Sequence, residues 1–369
     1  MKIRNKKLNV AILIRNFDRN GGGAEKYCVE LTQLISRIHN VHVICQCMET
    51  KLPNIKYHLT SKKISSRFLN LLLFSIQANK ILKKLNFDII HSHDIIKGAD
   101  IYTIHVPCFK TTFTHLYGLK RFSKLIGALF SPRILTYLYM ERNVFLSAKK
   151  IISVSNLLSE NIVQNYPFVK NIDIIHPGIS ETHENVKIHK KVFKILFIGN
   201  SFKRKGLQFL IDSVEIIDDP CIEILVAGNG DPNEVNFKSK MVHKNTTFLG
   251  KVKDIKPLYL RSDVLVHPTN GDTFGMVVLE AMSYSLPVIV SNQNYCGISS
   301  ELTSKNALIL KDHSNPKELS DNISKIRNDE KIRRSLSTNA LLFAKKMSWD
   351  KAKKATLYAY ESLITKSHN

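Results

Sequence analysis

A chain of 369 residues has room for about two domains of roughly 150 residues each. Its 44% hydrophobic and 23% charged residues exclude a disordered or low-complexity protein. Fifty-four Lys and Arg against 31 Asp and Glu leave a net charge of +23, which draws nucleic acid, anionic lipid or phosphorylated ligands.

The amino terminus is basic and then apolar, but Arg15 ends the apolar run well short of the roughly 7–15 residues of a secretory h-region, so 10–14 predicts a first β-strand. Apolar, β-branched runs follow at 41–45, 88–91, 101–105, 151–154 and 173–175, with helical patterns between them. The rhythm repeats at 194–198, 222–227, 247–248, 264–267, 288–291 and 307–310. Short apolar strands alternating with helices predict an α/β protein of parallel sheets covered on both faces. The polar segment 176–191, opened by the turn signal Pro177-Gly178, predicts a linker between domains 1–178 and 190–349. An amphipathic helix at 350–367 is expected to pack back on the first domain. Two doubly wound domains on one linker predict a ligand cleft between the carboxyl ends of both sheets.

The most apolar stretch, 68–76, is far below the ~18 residues that span a bilayer, so membrane contact is expected to be peripheral. Cys28, Cys45, Cys47, Cys108, Cys221 and Cys296 form no CxxC pair and no disulfide framework, which favours a reduced compartment and speaks against a zinc site. Residues 1–180 hold 26 Lys and Arg against 10 Asp and Glu, a net +16, and the remainder is +7. From 101 to 140 there is no acid. Lys110, Lys120, Arg121, Lys124 and Arg133 stand there among Phe109, Phe113, Tyr117, Phe122, Phe130, Tyr137 and Tyr139, which predicts an interfacial surface.

Four motifs carry chemistry. In His267-Pro-Thr-Asn-Gly-Asp-Thr-Phe-Gly-Met-Val-Val-Leu-Glu a strand passes through a loop into a helix starting near Gly275. The open amides of Gly275, Met276 and Val277 there suit a phosphate. Asp272 and Glu280, about 12 Å apart if helical, are too far apart to share a metal or act as a glycosidase pair. As acceptors flanking an anion site they fit a nucleotide sugar; as a helix cap and a solvated face they would carry no chemistry. In Gly199-Asn200-Ser-Phe-Lys-Arg-Lys a strand delivers Lys203, Arg204 and Lys205, either to clamp a diphosphate or as a solvated turn. Asn20-Gly-Gly-Gly-Ala-Glu is a flexible turn or a glycine loop, at Gly22 and Gly23, where a side chain would obstruct a ligand. His105 ends a strand after Asp100, and a lone His in an apolar run reads first as a core residue.

Taken together these motifs resemble the family-4 retaining glycosyltransferases, with their two Rossmann-like domains in the glycosyltransferase-B architecture. The landmarks are Gly22 to Glu25, His105, Pro177-Gly178, Arg204-Lys205-Gly206, Gly228-Asn-Gly, Ser262-Asp263, His267-Pro268, the acidic-x7-Glu pair and Leu286-Pro287-Val288. Asp100-Ile-Tyr, Tyr139-Met-Glu-Arg and Tyr295-Cys-Gly are most similar to the lipopolysaccharide-core α-1,3-glucosyltransferase type. One departure is Asp272, where the family usually has Glu.

The resemblance implies that Glu280 accepts from the donor ribose, Asp272 from the transferred sugar, and that Arg204 and Lys205 neutralise the leaving diphosphate. It implies that Gly22 and Gly23 admit the donor phosphates, that His105 contacts the transferred sugar, and that Asp100 lies near the acceptor. The basic Lys120, Arg121 and Lys124 are expected on the same side because the acid-free stretch 101–140 suits an anionic membrane surface. The expected activity is metal-independent, retaining transfer of a hexose, glucose foremost, without a cofactor. The expected donor is a UDP-sugar, and the acceptor a glycolipid or lipopolysaccharide core at the inner, cytoplasmic face of an anionic membrane. Fixed cations and helix dipoles would stabilise the leaving group. An epimerase or phosphorylase of the same architecture, a transferase-like scaffold, and a nucleic-acid-binding protein are the alternatives; the last lacks any recognition signature.

Overall fold

A computed structural model describes residues 7–61, 63–114, 131–184 and 192–366. The chain divides into two compact units. The residues up to Pro177, with the carboxy-terminal helix Trp349–Lys366, form one, and Gly178–Ser348 the other.

In the amino-terminal unit the strands are β1 (Asn9–Leu13), β2 (Asn16–Phe17), β3 (Asn40–Cys45), β4 (Cys47–Met48), β5 (Ile55–Leu59), β6 (Ile89–Ser92), β7 (Ile101–Ile104), β8 (Lys150–Ser153) and β9 (Ile172–Ile174). Among the described residues seven of them pair in the order β5-β3-β1-β6-β7-β8-β9, every pairing parallel, and β2 pairs with β4. The order reverses between β1 and β6. β1 and β7 are apolar through almost their whole length because they are buried on both faces. β5 was not legible as a strand: Ile-Lys-Tyr-His-Leu mixes polar residues into an edge position that stays half-exposed.

The carboxy-terminal unit contains β10 (Phe193–Ile198), β11 (Ile222–Ala227), β12 (Thr246–Phe248), β13 (Val264–His267), β14 (Val288–Ser291) and β15 (Leu308–Leu310). They pair in the order β12-β11-β10-β13-β14-β15, all parallel, and the order reverses between β10 and β13. The helix Leu207–Ile217 sets Leu207, Leu210, Ile211 and Val214, at i, i+3, i+4 and i+7, into a core with Ile195, Phe197, Ile224 and Val226. The segment expected as a free linker is in part packed: Ile179 bridges to Ser348, and the His183 amide donates to Ser283 O at 2.8 Å.

Aspartates standing just before strands do a common job. The Asp88 carboxylate accepts from the Asn9 amide, Asp100 from Ile90 and Asp263 from Lys194, each at 2.7–2.8 Å. Each anchors the first amides of a neighbouring strand, at the amino end of the sheet.

Candidate active site

In a doubly wound sheet, ligands bind beyond the carboxyl ends of the strands, where the strand order reverses. In the carboxy-terminal unit that point lies between β10 and β13, and the loops leaving these two strands are the two motifs singled out above. β10 runs into Gly199 and Asn200, then the one-turn helix Phe202–Lys205. Gly206 ends that turn at φ +79°, and a β-carbon there would stand 2.0 Å from Pro268 O. Only glycine therefore lets the loop after β10 lie against the loop after β13. The Asn270 amide donates to Arg204 O at 2.8 Å and completes the seam, and Asn200 Oδ1 accepts from the Asn229 amide at 3.2 Å.

This seam brings Lys205, His267 and Asp272 together. Lys205 Nζ pairs with Asp272 Oδ2, with side-chain exposures of only 12% and 18%. His267 Nε2 donates to the same oxygen at 3.0 Å. Burial alone would raise the Asp272 pKa, but the His267 hydrogen bond and the Lys205 charge outweigh it and hold the carboxyl well below its ordinary range. Burial keeps the His267 imidazole neutral by lowering its pKa, against the pull of Asp272. Asp272 is not on the helix: its amide and carbonyl bond Tyr295 O and the Gly297 amide.

The helix itself is Met276–Ser283, entered through Gly275 at φ +98°. A β-carbon at Gly275 would meet Cys296 Sγ at 2.8 Å. The amides of Gly275, Met276 and Val277 form its open end, where anions are favoured. Glu280, one turn on, accepts from the fully buried Tyr259 hydroxyl at 2.8 Å. Arg204 is exposed, and its guanidinium has no partner among the described residues, so it is an uncommitted cation next in sequence to Lys205.

In the amino-terminal unit the reversal lies between β1 and β6. The loops after β1, β6 and β7 line a pocket of about 680 Å³. Arg15 and Asp94 pair across the reversal at 2.8 Å, and His93 and His105 form one wall. The helices Arg67–Lys84 and Pro132–Ser147 contribute Leu71, Tyr137 and Glu141. Glu141 is buried, accepts from the amides of Phe109 and Lys110 and from the Tyr166 hydroxyl at 2.6 Å, and its pKa is raised by burial. Gly22 and Gly23 are exposed at the start of the helix Gly23–Ile35, whose Ala24 and Glu25 reach the pocket.

Two expectations need correction. Asp100 does not face this pocket. It precedes β7, at the end of the sheet away from the ligand-binding loops, and both oxygens are engaged, by the Ile90 amide and by Lys149 Nζ at 2.8 Å. The stretch 101–140 is not one interfacial surface in its described part: Phe113 is buried, Phe109 stacks on Tyr137 at 5.0 Å, and Lys110 Nζ bonds Asn165 O. Lys120, Arg121 and Lys124 lie outside the described residues. Sequence reasoning missed Arg15, His93, Asp94 and Glu141 as pocket residues, and missed the tie from His267 to Asp272. The signal for Arg15, His93 and Asp94 was the polar residues directly after β1 and β6, the strands flanking the reversal; Glu141, on the helix Pro132–Ser147, had no such signal.

Residues 21–183 match the profile of Glycosyltransferase Family 4 and residues 179–342 that of Glycosyl transferases group 1. The capsular polysaccharide biosynthesis glycosyltransferase CapH of Staphylococcus aureus is 24% identical over 284 residues, covering 74% of this chain and 79% of CapH. Among solved structures, WaaG, a glycosyltransferase involved in lipopolysaccharide biosynthesis, superposes with a TM-score of 0.77 at 19% identity, covering 94% of this chain and 98% of that one. HepE of Anabaena, solved with UDP and glucose, superposes with a TM-score of 0.72 at 15% identity, covering 96% of this chain and all (100%) of that one. These two likenesses establish the glycosyltransferase-B fold of paired Rossmann-like units. With the two family profiles meeting at the boundary between its units, the chain belongs to the glycosyltransferases, a family 4 module followed by a group 1 module.

Proposed function

We propose that this enzyme transfers a hexose, glucose foremost, from a UDP-sugar to a membrane-associated glycolipid or lipopolysaccharide-core acceptor, with retention and without a metal. The observation that carries the reading is the Arg204–Lys205–Asp272–His267 seam beside the open end of the helix Met276–Ser283. Charge develops on the diphosphate as the glycosidic bond breaks, and fixed donors aimed at it need no reorganisation. Arg204 offers a planar fork to phosphate oxygens. Lys205 has three donors, so it can keep Asp272 and still bind a phosphate oxygen. Asp272 then both orients that lysine and accepts from the sugar, while Glu280, steadied by Tyr259, accepts from the ribose. The complex of HepE with UDP and glucose supports the choice of donor. With no acid assigned as a nucleophile, front-face transfer fits, the donor phosphate taking the acceptor proton.

The acceptor half of the proposal draws on the outer faces of the two helices that wall the pocket. Leu69, Leu73 and Ile76 are exposed along Arg67–Lys84 and continue into Lys80, Lys83 and Lys84. Leu135 and Tyr139 are exposed on Pro132–Ser147, beside Arg133, and Phe68 contacts Tyr137 between the helices at a ring separation of 5.8 Å. Apolar side chains edged by lysines suit an anionic bilayer surface. No helix among the described residues is long and apolar enough to cross a membrane. A pocket adjoining such a face fits a saccharide held at the bilayer by its lipid. The test is incubation of the purified protein with UDP-glucose, UDP-galactose and GDP-mannose, with and without lipid-linked acceptor, and anomeric analysis of the product. Transfer that survives Arg204→Ala undiminished, or an inverted product, refutes the reading.

A further inference from the structure

Alternation along β6 and β7, continued one residue past each strand, puts His91 with His93 and Thr103 with His105 on one face of the sheet. The three imidazoles stack in series, with ring centroids 4.6 Å and 5.2 Å apart. His91 spends both nitrogens inside the core, Nδ1 at 2.8 Å from the Tyr360 hydroxyl and Nε2 at 2.7 Å from Thr103 Oγ1. Hydroxyls donate or accept, so these contacts impose no tautomer.

His93 and His105 differ, because they are joined nitrogen to nitrogen. His93 Nδ1 lies 2.9 Å from His105 Nε2, so one must carry the proton and the other the lone pair. Burial keeps both rings neutral, His105 pushed down to about 3 and His93 well below its ordinary value. Each ring therefore holds one proton. His93 Nε2 is buried with no hydrogen-bond partner. Were His105 the donor, the His93 proton would sit on that nitrogen as a buried N–H without an acceptor, a rarer and costlier orphan than an unused lone pair.

We infer that His93 is a positioning residue: it donates from Nδ1 to His105 Nε2 and so fixes the His105 proton on Nδ1, the nitrogen left for the pocket. His105 then offers the pocket a neutral hydrogen-bond donor and no basic lone pair. The tautomer stands on the geometry alone; that the donor meets a saccharide oxygen rests on the proposed function. The Tyr27 ring packs T-shaped against His105 at 5.0 Å.

Long-range proton–nitrogen correlation spectra of the 15N-labelled protein read the tautomer directly. The expected result is His105 protonated at Nδ1 in the wild type. In His93→Leu the proton distributes over both nitrogens, and kcat/KM falls about tenfold, the worth of one neutral hydrogen bond in a closed site. His93→Asn places an amide donor where Nδ1 stood, and restores both the tautomer and most of the activity. Protonation of His105 at Nε2 in the wild type overturns the inference, as does a wild-type tautomer in His93→Leu. Should the leucine variant not fold, the wild type and the asparagine variant decide it. Expected tautomers combined with a His105 resonance that neither UDP-glucose nor lipid-linked acceptor perturbs would leave the inference standing and sink the functional reading instead.

Discussion

Replacing Asp272 by Asn keeps the shape of the seam and removes the charge that Lys205 and His267 share. The Lys205 and Asp272 side chains are 12% and 18% exposed, so solvent cannot take over the neutralisation. Deleting one partner of a buried pair costs about 3–5 kcal/mol. The Asn carbonyl oxygen still accepts from Lys205 or His267, which brings the expectation to about 2–3 kcal/mol. In a unit the size of Gly178–Ser348 that lowers Tm by roughly 5–10 °C, measurable by calorimetry or circular dichroism. The double variant Asp272→Asn with Lys205→Met removes both charges and should recover most of the loss. The pH dependence has a definite sign. Asp272 ionises well below 3.8 in the folded protein, so its contribution is whole above that value and is lost as the pH falls beneath it. The gap between wild type and variant in urea unfolding should therefore be constant from about pH 5 to pH 8 and narrow below about pH 4. A variant whose Tm stays within about 1 °C of wild type would refute the claim that Asp272 holds Lys205.

Arg204→Ala should leave Tm within about 1 °C, since the guanidinium has no partner among the described residues, yet lower kcat about 10²–10³-fold. Gly206→Ala pairs a left-handed φ of +79° with a β-carbon 2.0 Å from Pro268 O, and should cost about 3 kcal/mol or more in urea unfolding. Asp100→Asn should cost only about 1 kcal/mol, because Lys149 is 64% exposed, and leave kcat/KM within about twofold; a large kinetic loss would return Asp100 to the acceptor side. Reversing Lys80, Lys83 and Lys84 to Glu should weaken binding to anionic vesicles at least ~100-fold at about 1 kcal/mol per charge, with UDP-sugar affinity unchanged in calorimetry.

The sequence by itself determined the architecture, because buried parallel strands must be continuously apolar: Val264 to His267 and Val288 to Ser291 are legible as strands wherever they stand. It also marked the loop motifs around Arg204 and Asp272, since glycines with no room for a side chain, such as Gly206 and Gly275, leave a readable trace. β5 escaped because an edge strand needs no apolar run. Roles depended on which residues meet. Asp100 was expected on the acceptor side from the family resemblance, but β7 separates it in space from His105, and Asp100 went to the anchoring end. Lys205, His267 and Asp272 are 67 residues apart at the extreme, and only the reversal of strand order between β10 and β13 gathers them. The same holds for Arg15 with Asp94, 79 residues apart, and for His93 with His105. A lone charge or imidazole has no chemistry of its own in a sequence; its partner, supplied by topology, sets its ionisation and direction of donation.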